Sequence, residues 1–136
     1  MICWQEGKKG QLLKEAFKID KIKIEEIVKA VDSKNGMDIE VLNISKLTSE
    51  MEVFIIATGK SDRNTKAIAD EVEYSLKKRG MFLFHKEGYR NGSWILLDYG
   101  DVVVHIFKPE ERMFYNLEKL WSGSERLDVD SLLENN

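Results

Sequence analysis

The chain has 136 residues, 43% hydrophobic and 33% charged, which suits one globular domain with its own core. Its formal net charge of −3 argues against a nonspecific nucleic-acid binder, which needs a basic excess to displace counterions. The single cysteine, Cys3, rules out an internal disulfide, and no apolar run approaches the ~20 residues of a membrane-spanning helix.

Residues 1–20 are weakly patterned, lack the apolar centre of a signal peptide, and turn helical near Leu12. A reducing, cytoplasmic setting is the expectation. Ile24, Ile27, Val28 and Val31 recur at i, i+3, i+4 and i+7, one face of a helix ending near Asn35-Gly36. IEVLNI (39–44) has strand character, with Ile39, Val41 and Asn43 on one face and Leu42 and Ile44 on the other. EVFIIATG (52–59) is a β-branched run closing on glycine, as in a buried strand. A helix follows over 60–80. Ser61 or Asp62 caps it, Ile68, Val72 and Leu76 recur with Ala69 beside them, Lys77, Lys78 and Arg79 suit its negative end, and Gly80 suits the position just beyond. MFLFH (81–85) reads as a short strand and KEGYRNGS (86–93) as a loop. WILLDYGDVVVHIF (94–107) reads as a hairpin. Pro109 opens a helix over 110–121, where its missing N–H costs nothing. The tail 122–136 is polar, with Leu132 and Leu133 as a docking point. The order α-β-β-α-β-β-β-α predicts a single α/β domain, a mixed sheet with helices packed on it.

The hairpin can be read residue by residue. Gly100 at the first central position suits a type II′ turn, which needs positive φ there. Tyr99 then faces Val102, Asp98 faces Val103, Leu97 faces Val104, Leu96 faces His105, Ile95 faces Ile106, and Trp94 faces Phe107. Alternation sorts these into an apolar face (Ile95, Leu97, Tyr99, Val102, Val104, Ile106) and a mixed face (Trp94, Leu96, Asp98, Val103, His105, Phe107). The first is core. The second combines aromatics with an acid and a histidine, the composition of a half-exposed binding hot spot. The competing reading pairs Asp98 with His105, its diagonal neighbour, beneath a covering segment.

Catalytic chemistry finds little support. TGKSDRN (58–64) places Gly and Ser between strand and helix, where free backbone N–H groups can bind an anion, and resembles the junction of nucleotidyltransferases. Those enzymes need paired carboxylates for Mg²⁺. No Asp-x-Asp follows on the next strand, and Asp98 and Asp101 lie across a turn. Capping is the simpler role for Ser61 and Asp62. The GKS lacks the upstream glycine of a phosphate-binding loop. Ser93, His105 and Asp98 lack a nucleophile elbow. His85 beside Glu87 reads as a surface pair, and two histidines without metal-ligand spacing argue against zinc.

FIIATGKSDRNTKAIADEVE, EGYRNGSWILLDYGDVVVHIF and RMFYNLEKLW, in this order and spacing, closely resemble the ribosomal silencing factor family, also called Iojap-like proteins. The resemblance spans 24–121, leaving 1–23 as an N-terminal extension and 122–136 as a polar tail. It implies a nucleotidyltransferase-like fold without the catalytic carboxylates, no enzymatic activity and no cofactor. The implied function is binding to the large ribosomal subunit through ribosomal protein L fourteen, which blocks joining of the small subunit and represses translation when nutrients are short. The implied interface comprises Trp94, Leu96, Asp98, His105 and Phe107 from the hairpin, with Glu111, Arg112, Tyr115, Glu118 and Trp121 from the last helix. Trp94 and Phe107 would be the apolar anchor, with Asp98, Glu111 and Glu118 meeting basic groups of the partner. Phe114, Leu117 and Trp121 recur at i, i+3 and i+7 and also fit a core. An exposed hairpin face equally suits a homodimer that competes with the ribosome. A nucleotidyltransferase-like enzyme and a small-molecule-binding regulator are the alternative readings.

Overall fold

A computed structural model describes residues 21–44, 53–120 and 123–134, apart from the side chains of Glu118, Leu120 and Glu134. Leu12, Cys3 and Trp121 lie outside the described residues. Helix α1 covers 21–33 and buries Ile24, Ile27, Val28 and Val31, the expected stripe. It stops where Asn35 turns to φ 64° and Gly36 N–H donates to Val31 O at 2.9 Å.

Strands β1 (Met37–Asn43), β2 (Val53–Thr58), β3 (His85–Glu87), β4 (Trp94–Asp98), β5 (Val102–Phe107) and β6 (Glu125–Leu127) form one sheet. Their spatial order is β3-β4-β5-β2-β1-β6. The central pair β2 and β5 is parallel and the other neighbours are antiparallel. Every residue of β2 and β5 is buried, as their continuous apolar runs require. The edges differ: β3 and β6 have three residues each, largely charged and mostly exposed.

Helix α2 (Asp62–Lys78) follows its sequence signals. Ser61 Oγ accepts the Asn64 N–H at 3.1 Å as N-cap. At the far end Gly80 N–H donates to Lys77 O at 3.0 Å and Met81 N–H to Leu76 O at 2.9 Å. That pair of bonds closes the helix through Gly80 at φ 78°. Thr65, Ile68, Ala69, Val72 and Leu76 are its buried stripe.

The main core lies on one side of the sheet. It joins α1, α2 and Leu132 to Val41, Val53, Ile55, Ala57, Ile95, Leu97, Tyr99, Val102, Val104 and Ile106. The opposite side holds a smaller cluster of Leu42, Ile44, Phe54, Ile56, Val103 and Phe107, with Trp94, Leu96 and Leu117 packed against it. The expected faces of the hairpin and of β1 are therefore observed.

Four expectations need correction. The strand placed at 81–85 begins only at His85, because Met81 belongs to the helix cap and Phe84 N–H donates to Asp98 O at 2.9 Å in the approach to β3. The loop expected at 86–93 accordingly gives its first two residues to β3. The final helix is broken. Asn116 takes φ 44° and separates α3 (Pro109–Tyr115) from α4 (Leu117–Leu120). The segment after 122 also carries more structure than a polar tail suggests. β6 pairs with β1, and α5 (Val129–Glu134) brings Leu132 into the core with Val129 and Leu133 against it. These apolar side chains cover the end of the core beside β1.

Candidate functional site

The mixed face of the hairpin forms as its register predicts, with Trp94 opposite Phe107, Leu96 opposite His105, and Asp98 opposite Val103. Its two halves differ in exposure. Trp94, Leu96 and Asp98 on β4 are half-buried, whereas Val103, His105 and Phe107 on β5 are buried. The expectation of a uniformly half-exposed face is corrected: only the β4 half is open. β5 is central, so both its flanks are paired and β2 brings Phe54 against it.

Trp94 organises this face. Its ring stacks on Phe107 with centroids 4.9 Å apart and meets Tyr115 of α3 at 4.6 Å. Its indole Nε1–H donates to Nδ1 of His105 at 3.1 Å. An indole nitrogen only donates, so this bond makes Nδ1 the acceptor and leaves the proton of the neutral ring on Nε2. His105 is 5% exposed, and Phe54 packs edge-on at 4.9 Å. Burial pushes its pKa down from 6.5 to about 4. Nε2 has no hydrogen-bond partner among the described residues.

Asp98 does not pair with His105. Its Oδ1 accepts the Gly100 N–H at 2.8 Å, bracing the turn where Gly100 has φ 91°. Trp94, not Asp98, is the hydrogen-bond partner of His105, which replaces the reading of an Asp98–His105 pair. Asp101 pairs with Lys23 of α1 at 2.8 Å. Both carboxylates of the turn are therefore engaged within the chain.

Helix α3 lies beside this face and buries none of its residues. Met113 is 83% exposed, Phe114 81% and Tyr115 48%. Phe114 meets Tyr115 edge-on at 5.1 Å, so ring contacts run without a gap from Phe114 through Tyr115 to Trp94, with Leu96 on the same cluster. The core reading of Phe114 is corrected, because the break at Asn116 removes the helical spacing that linked it to Leu117. Met113 and Phe114 were missed by sequence reasoning; the signal was Asn116 itself, a residue tolerant of left-handed backbone. Glu111 is half-buried, and its Oε2 lacks a hydrogen-bond partner among the described residues. Arg112 turns inward, its Nη1 donating to Thr58 Oγ1 at 2.8 Å. The Glu118 side chain and Trp121 fall outside the description.

The Gly-x-Ser junction is occupied by its own neighbours. Asn64 Oδ1 accepts the Lys60 N–H at 2.9 Å, Asn64 Nδ2 donates to Lys34 O at 3.0 Å, and Lys108 meets Asp62 at 2.9 Å. The hydrogen bond to Asp62 raises the Lys108 pKa. His85 and Glu87 pair on the surface at 2.8 Å, as their spacing suggested.

Fold and site together define a mixed α/β domain that presents a strip of aromatic and aliphatic side chains beside a buried histidine. A family model described as ribosomal silencing factor during starvation matches residues 18–136. The ribosomal silencing factor of Chromobacterium violaceum is 43% identical over 109 residues, covering 80% of this chain and 86% of that protein. The Bacillus subtilis protein of the same name is 39% identical over 101 residues, covering 74% and 86%. The chloroplastic Iojap protein of Zea mays is 35% identical over 103 residues, covering 76% of this chain and 45% of that protein. A crystal structure of a Chromobacterium violaceum protein superposes with a TM-score of 0.72 at 40% identity, covering 78% of this chain and 88% of the other. The chain belongs to the ribosomal silencing factor family, whose theme is regulation of translation.

Proposed function

We propose that this protein binds the large ribosomal subunit through ribosomal protein L fourteen, and that its volume there keeps the small subunit from joining. Translation is thereby repressed when nutrients are short. One observation carries the reading: the ring-to-ring strip from Phe114 through Tyr115 and Trp94 to Leu96, exposed at Phe114 and Tyr115 and half-buried at Trp94 and Leu96. Exposed contiguous apolar surface of this kind marks an interface. Trp94, Leu96 and Tyr115 act as direct anchors. His105 and Phe107 act from beneath, by fixing the Trp94 ring. The net charge of −3 and the carboxylates of Asp98 and Glu111 favour a basic partner.

The reading is of a binder, not a catalyst, acting in the cytoplasm and needing no cofactor. Engagement of the two carboxylates at the hairpin turn, Asp98 by the Gly100 N–H and Asp101 by Lys23, supports this. An interface of ~1,200–2,000 Å² suffices for stable occupancy. Sedimentation through a sucrose gradient with separated subunits tests it. The protein should travel with the large subunit and suppress reassociation with the small one. Failure to cosediment refutes the binding, and cosedimentation without suppression refutes the steric block. A second copy is the competing occupant of the strip. A homodimer should then dissociate as large subunits are added.

A further inference from the structure

The established family role does not say what holds the outer helix of the strip in place, and apolar burial does not, since no residue of α3 is buried. The helix leaves β5 at Pro109 and is tied down by polar contacts at successive points. Lys108 N–H donates to Ser93 O at 2.9 Å, and its ammonium meets Asp62 at 2.9 Å. One turn later Arg112 Nη1 donates to Thr58 Oγ1 at 2.8 Å, and the Arg112 carbonyl accepts the Asn116 N–H at 2.9 Å. That second bond fixes the left-handed residue at which the helix ends, next to Tyr115.

Thr58 is the last residue of β2 and only 3% exposed, one of three buried polar residues among those described, with Thr65 and His105. A hydroxyl so placed needs a partner, and the guanidinium is one. Loss of the hydroxyl would remove this tie within α3, three residues before Tyr115 meets the Trp94 ring.

We infer that Thr58 and Arg112 are positioning residues for ribosome binding: they set the angle of α3, and so join Tyr115 and Phe114 to Trp94 as one surface, without touching the partner. This rests on the proposed docking role of the strip and reassigns Arg112 from a partner contact to an internal tether.

The test compares Thr58→Val, which keeps the shape and removes the hydroxyl, with Thr58→Ser, which keeps the hydroxyl. Arg112→Gln is the second variant, because it removes the same bond from the α3 side and leaves Thr58 in place. Thr58→Val and Arg112→Gln should each weaken cosedimentation with large subunits by roughly tenfold or more, the scale of a charge-assisted hydrogen bond. Thr58→Ser should bind like the parent. In the weakened variants the Trp94 emission, isolated from that of Trp4 and Trp121 by difference against the same proteins carrying Trp94→Phe, should shift to the red, and α3 amides should exchange faster while α2 amides keep their rates. Parent-like binding and exchange in Thr58→Val and Arg112→Gln would overturn the inference. So would weakened binding with α3 exchange unchanged. If the parent protein itself ignores large subunits, the functional reading fails, while the fluorescence and exchange measurements still judge the tether.

Discussion

Replacing His105 by Asn should remove an acid-sensitive component of stability. The Asn Oδ1 takes the place of the imidazole Nδ1 and keeps an acceptor for the Trp94 indole, 3.1 Å away in the parent, but it does not titrate. In the parent, burial lowers the His105 pKa from 6.5 to about 4. Above the upper value the ring is neutral in both folded and unfolded chains, and the full benefit of keeping it neutral is present. As pH falls below it, the unfolded chain takes up a proton that the folded chain refuses, and unfolding gains ground until the folded ring also protonates. The difference corresponds to about 3 kcal/mol across that window. Urea unfolding at about pH 7.5 and about pH 4.5 should show the parent losing some 2–3 kcal/mol more than His105→Asn between the two conditions. Equal losses would mean that His105 protonates as easily in the folded protein as in the unfolded chain. The buried, neutral ring described beneath Trp94 would then be wrong.

Trp94→Ala should lower affinity for large subunits by roughly 2 kcal/mol, as for a hot-spot aromatic, checked by cosedimentation with circular dichroism confirming the fold. Undiminished binding would remove Trp94 from the interface. Asp98→Asn keeps an oxygen for the Gly100 N–H but drops the charge; weaker cosedimentation with unchanged urea stability is expected, and unchanged binding would count against a charge contact there. Gly80→Ala should cost about 1 kcal/mol in urea unfolding. A Cβ at this site meets nothing within 4 Å, so the cost is that of the backbone at φ 78° alone, and a neutral result would refute the cap.

Much of the fold was legible because local chemistry and pattern agreed. Gly100 placed the turn, and from it every pairing of the hairpin followed by counting outward. Ser61 and Gly80 bracketed α2, and its four-residue recurrence supplied the buried stripe. What alternation cannot tell is what lies over a face. It assigned Phe107 and His105 correctly to one side, but their burial depends on Phe54 of β2 and Tyr115 of α3, brought there only by the fold. The partner of His105 was ambiguous for a related reason. Trp94 and Asp98 are both its diagonal neighbours across the strands, and the choice was made by the turn, where the Gly100 N–H claims the Asp98 carboxylate. The last helix was read as continuous because the apolar spacing of Phe114 and Leu117 outweighed a single Asn, whose left-handed conformation decided the matter. β6 escaped notice because a three-residue strand offers too few alternations to register.

The short flanking strands have a consequence for life at high concentration. A protein that displays rings on its surface risks adhering to its own kind, and a long bare sheet margin would add a template for ribbon-like growth. Here each outermost strand is three residues long and studded with His85, Lys86 and Glu87 on one side and Glu125 and Arg126 on the other. The rings of the strip are thus left for a shaped partner to cap, while these short charged strands give a stacking neighbour little purchase.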